Sequence, residues 1–146
     1  MAPQASMLLV EDSPGEDELF RLAIEQAGLG ISLRTETDPD EAFRWLEQTL
    51  NAHPPPSLIL LDLNLCGRHG CGFLRRLRTD ARFRHLPVVV FTNSDAVSDI
   101  SVCYGSGANG YVVKPSRYAD LVQCVEALCR YWLTWNRISA PLKTRC

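Results

Sequence analysis

The chain has 146 residues, of which 46% are hydrophobic and 22% charged, with a formal net charge of −2 and a pI near 5.9. This length suits one domain and buries enough surface to fold without a disulfide framework. The lack of a basic face argues against nucleic acid as a partner, and no apolar run reaches membrane-spanning length.

Residues 1–5 carry neither a charged n-region nor an apolar h-region, so no signal peptide is expected. The six cysteines (Cys66, Cys71, Cys103, Cys124, Cys129, Cys146) form no CxxC pair, and His53, His69 and His85 sit in separate segments. That spacing argues against zinc and fits reduced thiols, several of them buried, in a cytoplasmic protein.

Residues 6–10 are a short apolar run, read as a first strand ending in Glu11-Asp12. A helix start follows, with Ser13 as N-cap, Pro14 at the first helical position and Glu16 closing a capping box. Leu19, Leu22, Ala23 and Ala27 are read as its apolar stripe, with Phe20 and Ile24 beside it. Gly28 and Gly30 stop that helix. Residues 31–37 alternate polar and apolar, as an edge strand does. Asp38 caps a second helix that turns Ala42, Phe43, Leu46 and Leu50 inward. The run 56–65 is bounded by prolines and glycines and reads as a fully buried strand that ends in Asp62. Beyond the loop 65–70, a third helix carries Phe73, Leu74 and Leu77, with Arg75, Arg76 and Arg78 as its solvated face. Residues 86–91 form another buried strand, ending in Thr92. A fourth helix over 96–104 has few strong helix formers and several β-branched residues, and is expected to be mobile. A last strand, 111–113, ends in Lys114-Pro115. Ser116 is read as the cap of a long final helix, whose apolar positions are Leu121, Cys124, Val125, Leu128, Trp132 and Trp135. From Asn136 onward, past Pro141, the tail is expected to be extended.

Five strands alternating with five helices predict an α/β fold, a doubly wound, five-stranded parallel sheet. The order 2-1-3-4-5, the flavodoxin-like arrangement, places strands one, three, four and five side by side. Their carboxyl ends would then gather Glu11, Asp12, Asp62, Thr92 and Lys114. Each of these residues has an ordinary structural explanation: a solvated turn, a strand terminus, a β-branched strand residue, a surface lysine. Their coincidence at the ends of four strands favours a site. Crowded carboxylates repel one another unless a cation joins them, and a hard divalent ion such as Mg²⁺ fits. Metal, ammonium and hydroxyl around an ionised aspartate are what phosphoryl transfer needs, with Asp62 as nucleophile.

Glu11-Asp12, Asp62 with Asn64, Thr92, and Tyr111 to Lys114-Pro115 resemble the motifs of response-regulator receiver domains of bacterial two-component signalling, over about residues 6–130. The resemblance implies that Asp62 accepts a phosphoryl group from a sensor histidine kinase. It implies that Asp12, Asp62 and the Asn64 backbone carbonyl hold Mg²⁺, with Glu11 acting through water. Thr92 and Lys114 would contact the phosphoryl group, and Tyr111 would be the switch aromatic that moves with Thr92. It also implies a cis Lys114–Pro115 bond. The stretches 10–15, 61–65, 92–94 and 131–133 further resemble single-domain regulators paired with bacterial phytochromes, which dimerise through the face of the fourth helix, fifth strand and fifth helix. Residues 6–130 are then the receiver domain and 131–146 an extension and tail.

Two departures stand out. The loop after Asp62 carries Cys66, Arg68 and His69, and Asn93 is larger than the small residue common there; it is expected to crowd the phosphoryl group. Tyr131, Trp132 and Trp135 either cover the protein's own core or form a patch buried by a second chain, and the length of the helix favours a homodimer. Two rival functions remain: a phosphatase of the haloacid-dehalogenase type, and an interaction module that is never phosphorylated. Asn64 stands where the phosphatases have a second acid, which weighs against the first. The intact set of acids weighs against the second.

Overall fold

The computed structural model describes residues 5–65 and 67–139. In chain order it contains β1 (Ser6–Val10), α1 (Pro14–Gln26), β2 (Ser32–Glu36), α2 (Pro39–Gln48), β3 (Leu58–Leu61), β4 (Asn64–Leu65), β5 (Arg68–His69), α3 (Cys71–Thr79), β6 (Val88–Thr92), α4 (Val97–Gly105), β7 (Gly110–Val113) and α5 (Tyr118–Cys129). A parallel sheet runs β2-β1-β3-β6-β7, which is the expected order with β6 and β7 as its fourth and fifth strands. The expected loop after Asp62 instead contains a short antiparallel ribbon, in which β4 pairs with β5. Two-residue strands leave no periodicity to read in the sequence.

The period-two alternation of strands divides the core between two faces. Leu8, Val10, Ile59 and Leu61 meet Phe43 and Leu46 of α2 and Leu74 and Leu77 of α3. Met7, Leu9, Leu58 and Leu60 meet Phe20, Ala23 and Ile24 of α1 and Val125 and Leu128 of α5. Each such leucine contributes about 1.5–3 kcal/mol when fully buried. Cys71, Cys103 and Cys129 are buried free thiols, as expected, and Cys124 is half-buried. Cys66, Cys146 and the Pro141 tail lie outside the described residues.

Several local expectations fail for identifiable reasons. α1 buries Phe20, Ala23 and Ile24, while Leu19 and Leu22 stay nearly half exposed. Apolar residues on α1 occupy more than one stripe, and tertiary packing chose the other. Leu50 lies past the end of α2 and is exposed. Arg78 is half-buried and does not simply face solvent: its guanidinium donates to Gly107 O (2.8 Å), Leu86 O (2.8 Å) and Asn109 Oδ1 (2.7 Å). It thereby stitches α3 to the turn between α4 and β7. Ser116 is not the cap of α5; Arg117 occupies that position with no side-chain hydrogen bond. The Lys114–Pro115 bond is trans, since no cis peptide bond occurs among the described residues. The final helix continues from α5 as a π-helical turn, Arg130–Trp135.

Candidate functional site

The carboxyl ends of β1, β3, β6 and β7 carry the site, each residue placed by the ladder beneath it. The Asp62 N–H donates to Val10 O (3.1 Å) and the Glu11 N–H to Glu36 O (3.0 Å), which carries the pairing one residue past the strand ends. The Lys114 N–H donates to Thr92 O (2.7 Å), bringing those two residues together. The Leu63 N–H donates to Asp62 Oδ1 (2.7 Å) and so pins the carboxylate.

Ligand oxygens of Glu11, Asp12 and Asp62 all lie within 4.8 Å of one another. Clustered carboxylate oxygens suit a hard divalent cation. Lys114 faces this cluster with a side chain only 9% exposed. Its Nζ donates to Glu11 Oε1 (2.6 Å), to Glu16 Oε2, and at longer range to Asp62 Oδ2 (3.5 Å). Its ring neighbour is Phe91, 5.7 Å from Nζ. Burial works to lower the Lys114 pKa, but Glu11, Glu16 and Asp62 outweigh it and hold the amine above its ordinary value. Burial, with the Glu16 and Asp62 carboxyls alongside, pushes Glu11 up to about 8 against the pull of Lys114. Hydrogen bonding to Glu11, together with Lys114, lowers Glu16 to about 2. Burial and neighbouring carboxylates thus push Glu11 and Glu16 in opposite directions around the one ammonium.

Thr92 is buried, and its Oγ1 accepts from the Ser94 N–H (3.5 Å). Asn64 lies exposed on β4, directly after the Asp62 turn. Tyr111 stands apart from the acids. Its ring packs against Leu63, Cys71, Val90 and Cys103, and its hydroxyl donates to Ser94 O (2.8 Å). Ser94 Oγ in turn donates to Asp99 of α4 (2.5 Å). One short segment therefore ties Thr92, Tyr111 and α4 together. Tyr131, Trp132 and Trp135 lie at the other end of the sheet, where Trp132 approaches Gly110, the first residue of β7. Trp132 covers the protein's own core, while Tyr131 and Trp135 are 54% and 74% exposed.

Glu16 is the site residue that sequence reasoning missed. Ser13 caps α1 by accepting from the Glu16 N–H (3.3 Å), as expected. The reciprocal half of the capping box is not made: the Ser13 N–H donates to Glu11 Oε2 (3.5 Å), and the Glu16 carboxylate turns to Lys114 and to Asn93 Nδ2 (3.1 Å). The signal was its place four residues after Asp12, in the first turn of α1. The cysteine loop contributes His69, whose Nδ1 accepts from the Cys71 N–H (3.3 Å) and whose Nε2 lies 3.7 Å from Asp99.

Residues 7–126 match the response regulator receiver domain family. The chain is 33% identical over 136 residues to the probable methanogenesis regulatory protein FilR2 of Methanothrix harundinacea, covering 92% of this chain and 88% of that one. It is 31% identical over 133 residues to response regulator Rcp1 of Synechocystis, covering 90% of each. Rcp1 has been solved in a Mn²⁺-bound form, which superimposes with a TM-score of 0.81 at 30% identity over 94% of this chain and all of that one. The phosphorylated cyanobacterial phytochrome response regulator RcpA superimposes with a TM-score of 0.84, at 30% identity, again over 94% of this chain and all of that one. Among the described residues no helix is long and apolar enough to cross a membrane. By its sequence match and by the fold beneath its acidic pocket, the chain belongs to the response regulator receiver domain family.

Proposed function

We propose that this chain is a phosphoacceptor switch, phosphorylated on Asp62 by a sensor histidine kinase. The observation that carries the reading is the placement of Asp62: a pinned carboxylate, with Glu11 and Asp12 within 4.8 Å and the Lys114 ammonium facing it. Asp62 attacks the phosphorus of a phosphohistidine, a P–O bond forms, the P–N bond breaks and the imidazole leaves. Lys114 and the Thr92 hydroxyl hold the phosphoryl oxygens. Asp12, Asp62 and the Asn64 carbonyl are the residues that would hold Mg²⁺, with Glu11 behind them. When bound, Mg²⁺ supplies charge neutralisation for the acids and the transferring group. Positioning and neutralisation are most of what this reaction asks, so the receiver promotes its own phosphorylation without being a turnover enzyme.

Thr92, drawn toward the phosphoryl group, would pull on Ser94 and release Tyr111 and α4. That change is the output. The likeness to RcpA and Rcp1 supports a phytochrome as the kinase. Val97, Val102 and Tyr104 of α4, Val113 of β7, and Tyr131 and Trp135 are exposed apolar residues that support a homodimer through this face. The body then spans residues 6–130 and the extension begins at 131.

Incubation with acetyl phosphate and Mg²⁺ should add one phosphoryl group to wild type and none to Asp62→Asn. An unmodified wild type overturns the reading, and steady hydrolysis of a phosphomonoester would point to a phosphatase instead. For the dimer, Trp135→Ala with Tyr131→Ala should sediment as a monomer; an unchanged sedimentation coefficient removes that part.

A further inference from the structure

An ammonium has three N–H donors. Those of Lys114 face three carboxylates: Glu11, Glu16 and Asp62. A phosphoryl group on Asp62 needs one of these donors, so one acid has to give way. Asp62 carries the new group and stays. Glu11 is 2% exposed and has nowhere to go. Glu16 has a side chain 35% exposed, sits on the first turn of α1 and can swing into solvent. Its other oxygen is held by Asn93 Nδ2 (3.1 Å), from the segment just after Thr92. A cavity beside these groups is lined by Glu11, Glu16, Phe91, Asn93 and Lys114.

We infer that Glu16 is a positioning residue, the resting-state counter-ion of Lys114, which the phosphoryl group displaces. It rests on the reading of Asp62 as phosphoacceptor. Glu16 keeps Lys114 partnered and aimed at the site in the unphosphorylated protein. It also competes with the incoming phosphoryl group for Lys114, and Asn93 sets how firmly it competes. In this arrangement Asn93 acts by holding Glu16 rather than by crowding the phosphoryl group.

The sequence contains two lysines, Lys114 and Lys143, so lysine-labelled protein gives a spectrum with two side-chain signals. In metal-free protein, Glu16→Gln should shift the Lys114 ammonium signal and speed its exchange with water. With Mg²⁺ present, the same variant should bind beryllofluoride, a phosphoryl mimic, at least about fivefold more tightly, since one charge-assisted hydrogen bond no longer has to be broken. Asn93→Ala should move affinity in the same direction by less. The helix start survives in each variant, because the Glu16 backbone N–H makes the cap; an unchanged thermal melt checks this. An unmoved Lys114 signal, or a beryllofluoride affinity within about twofold of wild type, overturns the inference. That outcome in a protein that still takes a phosphoryl group on Asp62 breaks this inference alone. A wild type that takes none breaks the receiver reading as well.

Discussion

α3 and α4 are both nine residues long, and one comes after Asp62 in the chain and the other after Thr92, yet they are held very differently. α3 buries Cys71, Phe73, Leu74 and Leu77. α4 buries Cys103 alone, with Val97 80% exposed. Elsewhere α4 is held by polar links, from Asp99 to Ser94 and His69, with the Tyr111 hydroxyl on Ser94 O. Apolar burial is non-directional and hard to switch, whereas a few hydrogen bonds have discrete alternatives. A helix held by the second kind of bond can respond to one added phosphoryl group, and a helix held by the first cannot.

The largest effect should come from α3. Leu74→Ala should cost about 2–5 kcal/mol in urea unfolding, because it leaves a cavity under the sheet. A loss below about 1 kcal/mol would mean that α3 is no better anchored than α4. Next comes Arg78→Ala, which strips partners from Gly107 O and Leu86 O and should cost about 1–3 kcal/mol. It should also speed amide exchange in α4 more than in α3, since Arg78 is the stitch between them. Tyr111→Phe removes a single hydroxyl bond and should cost about 1 kcal/mol, with faster exchange at the start of α4 as the local sign. Smallest is Val97→Ala, expected within about 0.5 kcal/mol of wild type by thermal unfolding. A larger loss there would mean that the exposed side of α4 is covered in solution, as a dimer through this face requires.

The sheet and most of the site were legible in the sequence because both follow from short, strongly patterned segments. Buried runs such as 58–61 end abruptly in a polar residue, and parallel topology then brings those ends together. Lys114 could be placed beside Asp62 in this way, and its Nζ lies 3.5 Å from Asp62 Oδ2, while Thr92 is joined to Lys114 through the backbone. What escaped depends on where a long side chain points. Glu16 occupied a position that capping explained well, so its carboxylate was assigned to the helix start and not to Lys114. Arg78 sat among Arg75 and Arg76 and was read with them, though its three-methylene stem and guanidinium reach the backbone oxygens of Gly107 and Leu86. Leu19 and Leu22 fit a helical period as well as Phe20 and Ile24 do, and only the neighbouring α5 decides between the stripes. Backbone propensity carries no information on such choices.

Gly70 sits against the backbone that carries Asp62. A Cβ at this residue would lie 2.4 Å from Asp62 O and 3.3 Å from Leu63 Cα, and the Gly70 N–H donates to Leu63 O (2.7 Å). α3 therefore begins welded to the segment that presents Asp62, the proposed phosphoacceptor. In the proposed switch, strand, weld and α3 form a stator, and the segment from Thr92 through Tyr111 is the part left to turn. A methyl group at residue 70 would jam the machine at its fixed end.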